Sequence, residues 1–176
     1  YHKVLIVTDA AINIAPALDD KVDICQNAID LARALGLELP RLAILAAVET
    51  VNAKIKATIG AACLCKMAER GQITGAVLDG PLAFDNAISA EAAKIKGITS
   101  PVAGNPDILL VPDLEAGNIL AKQLSFLANA DSAGLVLGAR VPIILTSRAD
   151  SVRSRIASCG VAVLAAHARR QALAIA

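Results

Sequence analysis

Polar side chains follow two apolar runs in the second half of the sequence, and their types suit chemistry. The first run, residues 108–111, leads into Pro-Asp-Leu-Glu-Ala-Gly-Asn, and the second, residues 143–145, leads into Thr-Ser-Arg-Ala-Asp-Ser. Each polar cluster opens a helical pattern. Ligands of open α/β sheets bind beyond the carboxyl ends of the strands. The stretch 107–151 therefore predicts a binding or catalytic surface.

The cluster after residues 143–145 offers groups for acyl and phosphoryl chemistry. Arg148 can clamp a phosphate through two parallel hydrogen bonds, and Ser147 can donate to an oxyanion or to a thiol. Asp150 can act as a base, or it can cap the terminal helix together with Ser151. An arginine directly after a strand has little structural use, so we interpret Ser147 and Arg148 as functional.

The cluster after residues 108–111 offers a second set of candidate ligand-binding groups. Asp113 can cap a helix that begins near Glu115. Gly117 costs helix stability relative to alanine, but it lets another group approach the backbone closely. Asn118 offers an amide, and Lys122, four residues on, shares its face and offers a cation. The alternative is an ordinary capped helix start.

Two other predicted strand ends carry aspartates. Asp9 ends the first strand with Asn13 nearby, and it either faces a ligand or caps a turn. Asp79 follows the third predicted strand, where the Gly-Pro pair at residues 80–81 predicts a turn. We expect Asp79 to face a ligand and Asp85 to cap the next helix.

Strand-like and helix-like segments alternate along the chain. Short apolar runs with polar, Gly or Pro boundaries predict strands at residues 4–7, 42–47, 76–78, 108–111, 135–137 and 143–145. Apolar residues that recur at helical spacing predict helices at residues 19–35, 58–69, 85–94, 115–128 and 151–174. We therefore expect a three-layer α/β/α fold with a mostly parallel sheet. The last two strands are too close for a parallel crossover, which predicts a short antiparallel edge hairpin.

The C-terminal helix is apolar on nearly all sides, a pattern typical of a buried helix. We divide the chain into an α/β domain, residues 1–150, and this helix, residues 151–176. The sequence has no initiator methionine and opens directly into a strand. We expect it to be part of a longer protein, with the helix packing on a domain upstream of Tyr1 or on a partner subunit.

Composition argues against several classes of function. A net charge of +1 and an aromatic content of 2% give no basis for nucleic-acid binding. No apolar run approaches the roughly 20 residues of a membrane span. The four cysteines stand in apolar contexts, which predicts buried, reduced thiols and a cytoplasmic protein. Hydrophobic residues make up 56%, more than usual, and this surplus predicts a surface for another domain or subunit.

Four strand-end strings, taken in order, resemble the phosphate acetyltransferase/butyryltransferase family. They are Thr-Asp-Ala-Ala-Ile-Asn-Ile-Ala-Pro from Thr8, Asp-Gly-Pro-Leu-Ala-Phe-Asp from Asp79, Val-Pro-Asp-Leu-Glu-Ala-Gly-Asn from Val111 and Thr-Ser-Arg-Ala-Asp-Ser from Thr146. The last two strings are specific for this family only when both are present. The sequence of residues 138–148 is similar to that of the butyryltransferase-like branch of the family. This branch includes proteins in which the domain is fused to an acyl-CoA hydratase module. The chain resembles only the C-terminal portion of such a protein.

The resemblance implies transfer of an acetyl or short-chain acyl group between coenzyme A and inorganic phosphate. It implies direct thiolate attack on an acyl phosphate, with no metal and no cofactor besides these substrates. Ser147 and Arg148 match the Ser-Arg pair of the family. The acetyltransferase branch has its catalytic Asp seven residues after that serine, where this chain has Ser154. The base is therefore Asp150, or this chain supplies none.

The resemblance also implies a homodimer and an N-terminal domain that carries further phosphate-binding arginines. We expect residues 1–176 alone to have little or no activity. The alternative function is a non-catalytic acyl-CoA-sensing or oligomerisation module, since similar domains occur in the C-terminal region of some malic enzymes. Nothing in the sequence specifies the acyl-chain preference or the physiological direction.

Overall fold

A computed structural model of the protein describes residues 1–175. Its main sheet has four parallel strands in the order β1-β4-β2-β3. These strands are β1 (Ile6–Thr8), β2 (Arg41–Leu45), β3 (Val77–Leu82) and β4 (Ile108–Leu110). The helices are α1 (Leu18–Ala34), α2 (Lys56–Glu69), α3 (Phe84–Ile88), α4 (Ala90–Ile95), α5 (Leu114–Phe126) and α6 (Val152–Ile175). The last residue of the predicted helical region 151–176 lies outside the described residues.

Two apolar layers cover the sheet, one on each face. Alternate residues of β2 and β4 point to opposite faces. Leu42 and Ile108 pack with the buried faces of α1 and α2. Ala43 and Leu109 pack on the other side with residues of α3 and α5. The prediction of a three-layer α/β/α fold with a mostly parallel sheet is confirmed.

Asp107 ties three strands together at the amino end of the sheet. It is 7% exposed. Its Oδ2 accepts a hydrogen bond from the Arg41 backbone N–H at 2.8 Å, and its Oδ1 accepts one from Lys3 Nζ at 2.6 Å. Its own backbone carbonyl accepts from Ile6 N at 2.9 Å. One buried residue therefore connects the starts of β1 and β2 to β4, through its backbone carbonyl and its side chain.

The prediction that residues 80–81 form a turn is wrong, because β3 continues through them to Leu82. The register between β2 and β3 shifts after Ala43, so the strand absorbs an irregularity without ending. A Cβ on Gly80 would lie 2.7 Å from Ile44 Cβ and 2.8 Å from the Ile44 carbonyl oxygen. The glycine therefore permits close approach of the neighbouring strand, where the sequence suggested a chain reversal.

The single helix predicted at residues 85–94 is two helices, and Asp85 is not the cap of the first. The residue that precedes α3 is Ala83, and Asp85 lies inside the helix. Ser89 separates α3 from α4 with an extended backbone, and its Oγ accepts a hydrogen bond from Ala92 N at 3.2 Å. The chain is thus redirected by a serine that caps the second helix.

The predicted antiparallel pair is present and forms a small sheet of its own. It joins β5 (Leu135–Val136) to β6 (Ile143–Ile144). Ser158 of α6 connects the helix to this hairpin, because its Oγ accepts from Gly134 N at 3.0 Å. No helix within residues 1–175 is long and apolar enough to cross a membrane.

The C-terminal part of the chain exposes much apolar surface. Its exposed large apolar side chains are Val141, Ile143, Ile144, Leu145, Val152, Ile156, Val163 and Leu164. Apolar side chains of α6 are thus exposed within residues 1–175, and the packing of this helix on another domain or subunit stays a prediction. Cys159 is also exposed, contrary to the prediction of buried thiols, whereas Cys25 is buried.

We expect Asp107→Ala to lower the free energy of unfolding by about 1–3 kcal/mol, because it leaves the Arg41 N–H without its acceptor and removes the ion pair with Lys3. Urea denaturation at neutral pH measures this difference. Asp131→Ala is the matched control, since its ion pair with Arg153 is exposed and such pairs contribute about 0–1 kcal/mol. Equal effects of the two substitutions would contradict the role given to Asp107.

Candidate functional site

At the carboxyl ends of β1 and β4, the chain leaves the sheet towards opposite faces. β1 and β4 are neighbours in the sheet. The helix that follows β1 packs on one face of the sheet, and the helix that follows β4 packs on the other. Such a switch point leaves a crevice beyond the strand ends, which is where ligands of open α/β sheets bind. The loop after β1 and the start of α5, which carry predicted site residues, lie at these strand ends.

Asp9 organises the loop that follows β1. Its Oδ1 accepts hydrogen bonds from the backbone N–H groups of Ala11 at 2.8 Å and Ile12 at 2.9 Å. Its Oδ2 accepts from the backbone and the side-chain nitrogens of Asn13, at 2.8 and 2.7 Å. Burial raises the pKa of Asp9, but these hydrogen bonds outweigh burial and hold its pKa below the ordinary value. Of the two roles open to Asp9, the turn-capping one is therefore observed.

The loop after β1 lies directly on the first turn of α5. A Cβ on Gly117 would lie 2.6 Å from the Asp9 carbonyl oxygen and 3.0 Å from Ala10 Cα. Asn118 Nδ2 donates to the Ala10 carbonyl at 3.2 Å. Asp113 caps the helix, as predicted, by accepting from Ala116 N at 2.9 Å. The close approach expected at Gly117 is thus made by the protein's own loop.

The structure brings Asp9, Asp113, Gly117 and Asn118 together at the ends of β1 and β4, and we call this group the β1–β4 rim. The three polar side chains each have an intramolecular partner. Their contacts set the position of the loop and of α5. Lys122 lies farther along α5, with an exposed side chain.

Asp79 lies within β3 and not after it. It pairs in register with Ala43, and its Oδ1 accepts from the Gly80 N–H at 2.8 Å. Burial and the charge of Asp79 raise the pKa of the nearby Cys65 thiol to about 12. The expectation that Asp79 follows the strand is wrong, because the strand runs three residues past it to Leu82.

Ser147, Arg148 and Asp150 form a compact turn between β6 and α6. Asp150 Oδ2 accepts from the Ser147 backbone N–H at 2.6 Å, and Asp150 N donates to the Ser147 carbonyl at 3.1 Å. Ser147 Oγ accepts from Ala149 N at 3.3 Å. The side chains of Ser147 and Arg148 are exposed. Asp150 therefore shapes the turn that presents both of them.

The cap of α6 is Ser151, as the sequence predicts. Its Oγ accepts from Ser154 N at 3.1 Å. Ser154 itself lies within hydrogen-bond distance of two serine hydroxyls, those of Ser132 at 3.4 Å and Ser151 at 3.1 Å. Within residues 1–175, no hydrogen bond or ion pair joins the Ser147–Asp150 turn to the β1–β4 rim. The predicted residues therefore form two separate groups, and Asp79 in β3 belongs to neither.

A third polar group lies at the carboxyl ends of β2 and β3, and the sequence did not single it out. Asn86 is fully buried, and its Nδ2 donates to Glu49 Oε2 at 3.2 Å. Lys96 bridges Glu49 at 3.3 Å and Asp85 at 3.0 Å. Asn86 Oδ1 has no partner among the described residues. The Asp-Asn pair at residues 85–86 was visible in the sequence, but Glu49 is far from it along the chain.

Comparison with known proteins gives consistent results over most of the chain. The family model described as phosphate acetyl/butaryl transferase matches residues 2–165. Phosphate acetyltransferase of Rhizobium meliloti is 73% identical over 168 residues, 96% of this chain and 53% of that protein. The probable phosphate butyryltransferase of Bacillus subtilis is 52% identical over 165 residues, 94% of this chain and 55% of that protein. The chain thus spans about half the length of the curated relatives it matches.

Solved structures agree with the sequence matches. The crystal structure of a branched-chain phosphotransacylase from Enterococcus faecalis V583 superimposes with a TM-score of 0.83 and 37% identity. That alignment covers 92% of this chain and 58% of the other. The EutD phosphotransacetylase from Staphylococcus aureus gives a TM-score of 0.76 with 25% identity, and it covers 93% of this chain and 50% of the other.

We expect Gly117→Ala to lower the free energy of unfolding by about 1–3 kcal/mol, because the new methyl group collides with the loop backbone. Chemical denaturation measures the change. Gly60→Ala is the control, since a Cβ there meets no atom within 4 Å. That helical glycine should gain about 0.5–1 kcal/mol on substitution. A neutral Gly117→Ala would show that the loop does not rest on α5.

Asp9→Asn should lower the thermal midpoint at pH 7, because an amide supplies one acceptor oxygen where the carboxylate supplies two. The folded-state pKa of Asp9 is below its ordinary value of 3.8. Its stabilisation is therefore complete above that value and is lost as pH falls through the folded pKa. The difference between wild type and Asp9→Asn should shrink in acid. A difference that stays constant from pH 7 to pH 2 would exclude the carboxylate charge as its source.

Proposed function

The chain belongs to the phosphate acetyl/butyryltransferase family, and from this premise we propose that it contributes half of an enzyme that transfers acetyl or short-chain acyl groups between coenzyme A and inorganic phosphate. The observation that carries the proposal is the Ser147–Asp150 turn. It presents an exposed hydroxyl and an exposed guanidinium side by side. An acyl phosphate needs both a donor for its carbonyl oxygen and a cation for its phosphate.

We propose that the coenzyme A thiolate attacks the acyl phosphate carbonyl carbon. A carbon–sulfur bond forms, the carbon–oxygen bond to phosphate breaks, and inorganic phosphate leaves with the bonding electron pair. Ser147 donates to the oxyanion, and Arg148 binds the phosphate through parallel hydrogen bonds. The roughly 8.5 pKa of a thiol leaves it mostly protonated at neutral pH, so a base that accepts its proton accelerates the attack.

We assign the base to Asp150. Its Oδ2 already accepts from the Ser147 N–H, which leaves Oδ1 to accept the thiol proton. Ser154 occupies the position of the carboxylate in the acetyltransferase branch, and a hydroxyl does not accept a proton at neutral pH. Asp150 thus positions Ser147 in addition to acting as base.

The rim of the β1–β4 crevice serves in this proposal as a substrate-binding surface. Asp9, Asp113, Gly117 and Asn118 hold its shape through the contacts described above, and exposed Lys122 adds a cation. Asp79 lies within β3, so in this proposal it supports the substrate-binding surface through its position in that strand. The substrates are coenzyme A or acyl-CoA and phosphate, and we propose that no metal or other cofactor takes part.

We further propose that residues 1–150 form one α/β domain and that α6 packs on an N-terminal domain of the same protein or on a partner subunit. The exposed apolar side chains of β6 and α6 support this packing. The length of the relatives supports it as well. A homodimer is the proposed assembly. The four free cysteines support a cytoplasmic location, where thiols stay reduced.

A second candidate function is a non-catalytic module that senses acyl-CoA or supports oligomerisation. The serine at position 154, where the acetyltransferase branch has its catalytic carboxylate, favours this alternative. The exposed apolar surface of α6 fits it as well. Binding of acyl-CoA by an intact protein that has no turnover would favour the sensor over the enzyme.

Arg148→Ala in the intact protein should lower kcat/KM for acyl-CoA formation from acyl phosphate by about 100-fold or more, because the phosphate loses its charged donor. Ser147→Ala should have an effect of similar size. Arg140→Ala is the control, since Arg140 is an exposed arginine in the turn of the β5–β6 hairpin. An Arg148→Ala variant with the wild-type rate would remove this residue from the mechanism.

A further inference from the structure

The small sheet of β5 and β6 has very few contacts of its own. It contains two residue pairs, Leu135 with Ile144 and Val136 with Ile143. An isolated hairpin of this kind is at best marginally stable in water. A single side chain of α6, that of Ser158, is hydrogen-bonded to the backbone beside it. The position of β6 therefore depends on further packing.

Both faces of β6 are apolar and open. Ile143 is 45% exposed and Ile144 is 43% exposed. Successive side chains of a strand point to opposite faces, so neither face of β6 is fully covered. Leu145, the next residue, is 38% exposed. A strand that is apolar on both faces is typical of the interior of a larger sheet.

The sequence of β6 lacks the features that keep an edge strand unpaired. Charges and prolines within an edge strand discourage its pairing with another strand. The edge strand β3 of the main sheet carries both, at Asp79 and Pro81. No charged residue occurs from Val141 to Ser147, and the proline of that stretch lies before β6. The edge of β6 is thus suited to pairing.

The backbone of Ile144 points away from β5. Leu145 N donates to the Gly134 carbonyl at 3.0 Å, so these two residues form a hydrogen-bonded pair. Opposed residues of an antiparallel ladder alternate between hydrogen-bonded and non-hydrogen-bonded pairs, and Ile144 with Leu135 is of the second kind. The Ile144 N–H and C=O therefore lie on the outer edge of β6. Within residues 1–175, neither bonds to a residue outside the hairpin.

We propose that an extended apolar strand pairs with this outer edge and makes β6 an interior strand of a larger sheet in the intact protein. The partner strand belongs to the part of the protein that lies outside residues 1–176. Relatives contain a large part of this kind, since 168 residues of this chain match 53% of the Rhizobium meliloti protein. In strand addition, main-chain hydrogen bonds supply affinity and the side chains of alternate faces supply specificity.

The pairing also bears on the turn that follows β6. Ser147 and Arg148 come directly after the stretch 143–146, and both side chains are exposed. In the hairpin alone, β6 is held along one edge. Pairing along the second edge restricts the turn, and a reacting group needs such precise positioning. This step of the inference rests on the proposed acyl transfer.

Amide hydrogen exchange of the intact protein, read by NMR, tests the pairing. Relative to its intrinsic rate, the Ile144 N–H should exchange on the order of 100-fold more slowly than that of Arg140, an exposed residue of the hairpin turn. The Leu145 N–H, bonded to Gly134, is the reference for a paired amide. Exchange of Ile144 as fast as that of Arg140 would overturn the proposal, whether or not Leu145 is protected.

Two substitutions separate the backbone bond from the side chain. Ile144→Ala and Ile144→Pro both remove the isoleucine, and the proline also removes the N–H. A proline whose missing N–H faces solvent is tolerated on an edge strand. In the intact protein, we expect the proline variant to melt about 2–4 °C or more below the alanine variant. Equal midpoints would contradict the pairing.

A second copy of the chain is the other possible source of the strand, because two β6 edges can pair across a two-fold axis. A sample that mixes isotope-labelled and unlabelled protein identifies the source. A cross-strand NOE from the Ile144 N–H to a residue of its own chain outside 1–176 supports the proposal. The same NOE to an unlabelled chain assigns the edge to a second copy and overturns it.

The acyl-transfer proposal is tested separately, because exchange and melting need no turnover. An intact protein without turnover refutes the acyl transfer and leaves the exchange result to decide the pairing. With turnover present, Ile144→Pro should lower kcat/KM for acyl-CoA formation by about 10-fold or more relative to Ile144→Ala, since the reactive turn loses its anchored strand.

Discussion

The contact between Gly117 and the loop after β1 is the constraint on which the crevice depends. With hydrogen as its side chain, residue 117 lets the Asp9 carbonyl and Ala10 Cα approach α5 at distances that exclude a methyl group. Asn118 then reaches the Ala10 carbonyl, and Asp113 can cap α5 at the end of β4. The same contact keeps the loop compact around the Asp9 carboxylate. The relative position of the two helices at the strand ends follows from it.

Most of the predicted site residues lie in two places. At the ends of β1 and β4, the carboxylates of Asp9 and Asp113 accept hydrogen bonds from backbone N–H groups. The turn between β6 and α6 has an exposed serine and arginine, held by Asp150. Acyl transfer from an acyl phosphate to a thiol requires binding groups for a large polyanion as well as donors at the reacting centre. The exposed apolar side chains of β6 and α6 form the surface on which we propose that another domain or subunit packs.

Much of the fold could be predicted because parallel strands buried on both faces have a simple signature. Continuous apolar runs predicted β2 and β4, and the short gap before residues 143–145 predicted the antiparallel pair. The errors occurred where a residue type has more than one structural use. Glycine and proline at residues 80–81 usually end a strand, yet here Gly80 admits the Ile44 backbone and β3 continues. The Cys159 thiol follows a helical apolar pattern but lies on an open face.

The sequence by itself determined the family, the α/β alternation, the helix caps at Asp113 and Ser151, and the Ser147-Arg148 pair, because each depends on residues close together in the chain. Tertiary structure alone decided how the polar groups are used. It placed Asn86 against Glu49, the Asp107 carboxylate against the Arg41 N–H, and Asn118 against the Ala10 carbonyl. These pairings join residues separated by several elements. They depend on the strand order β1-β4-β2-β3, which local spacing does not specify.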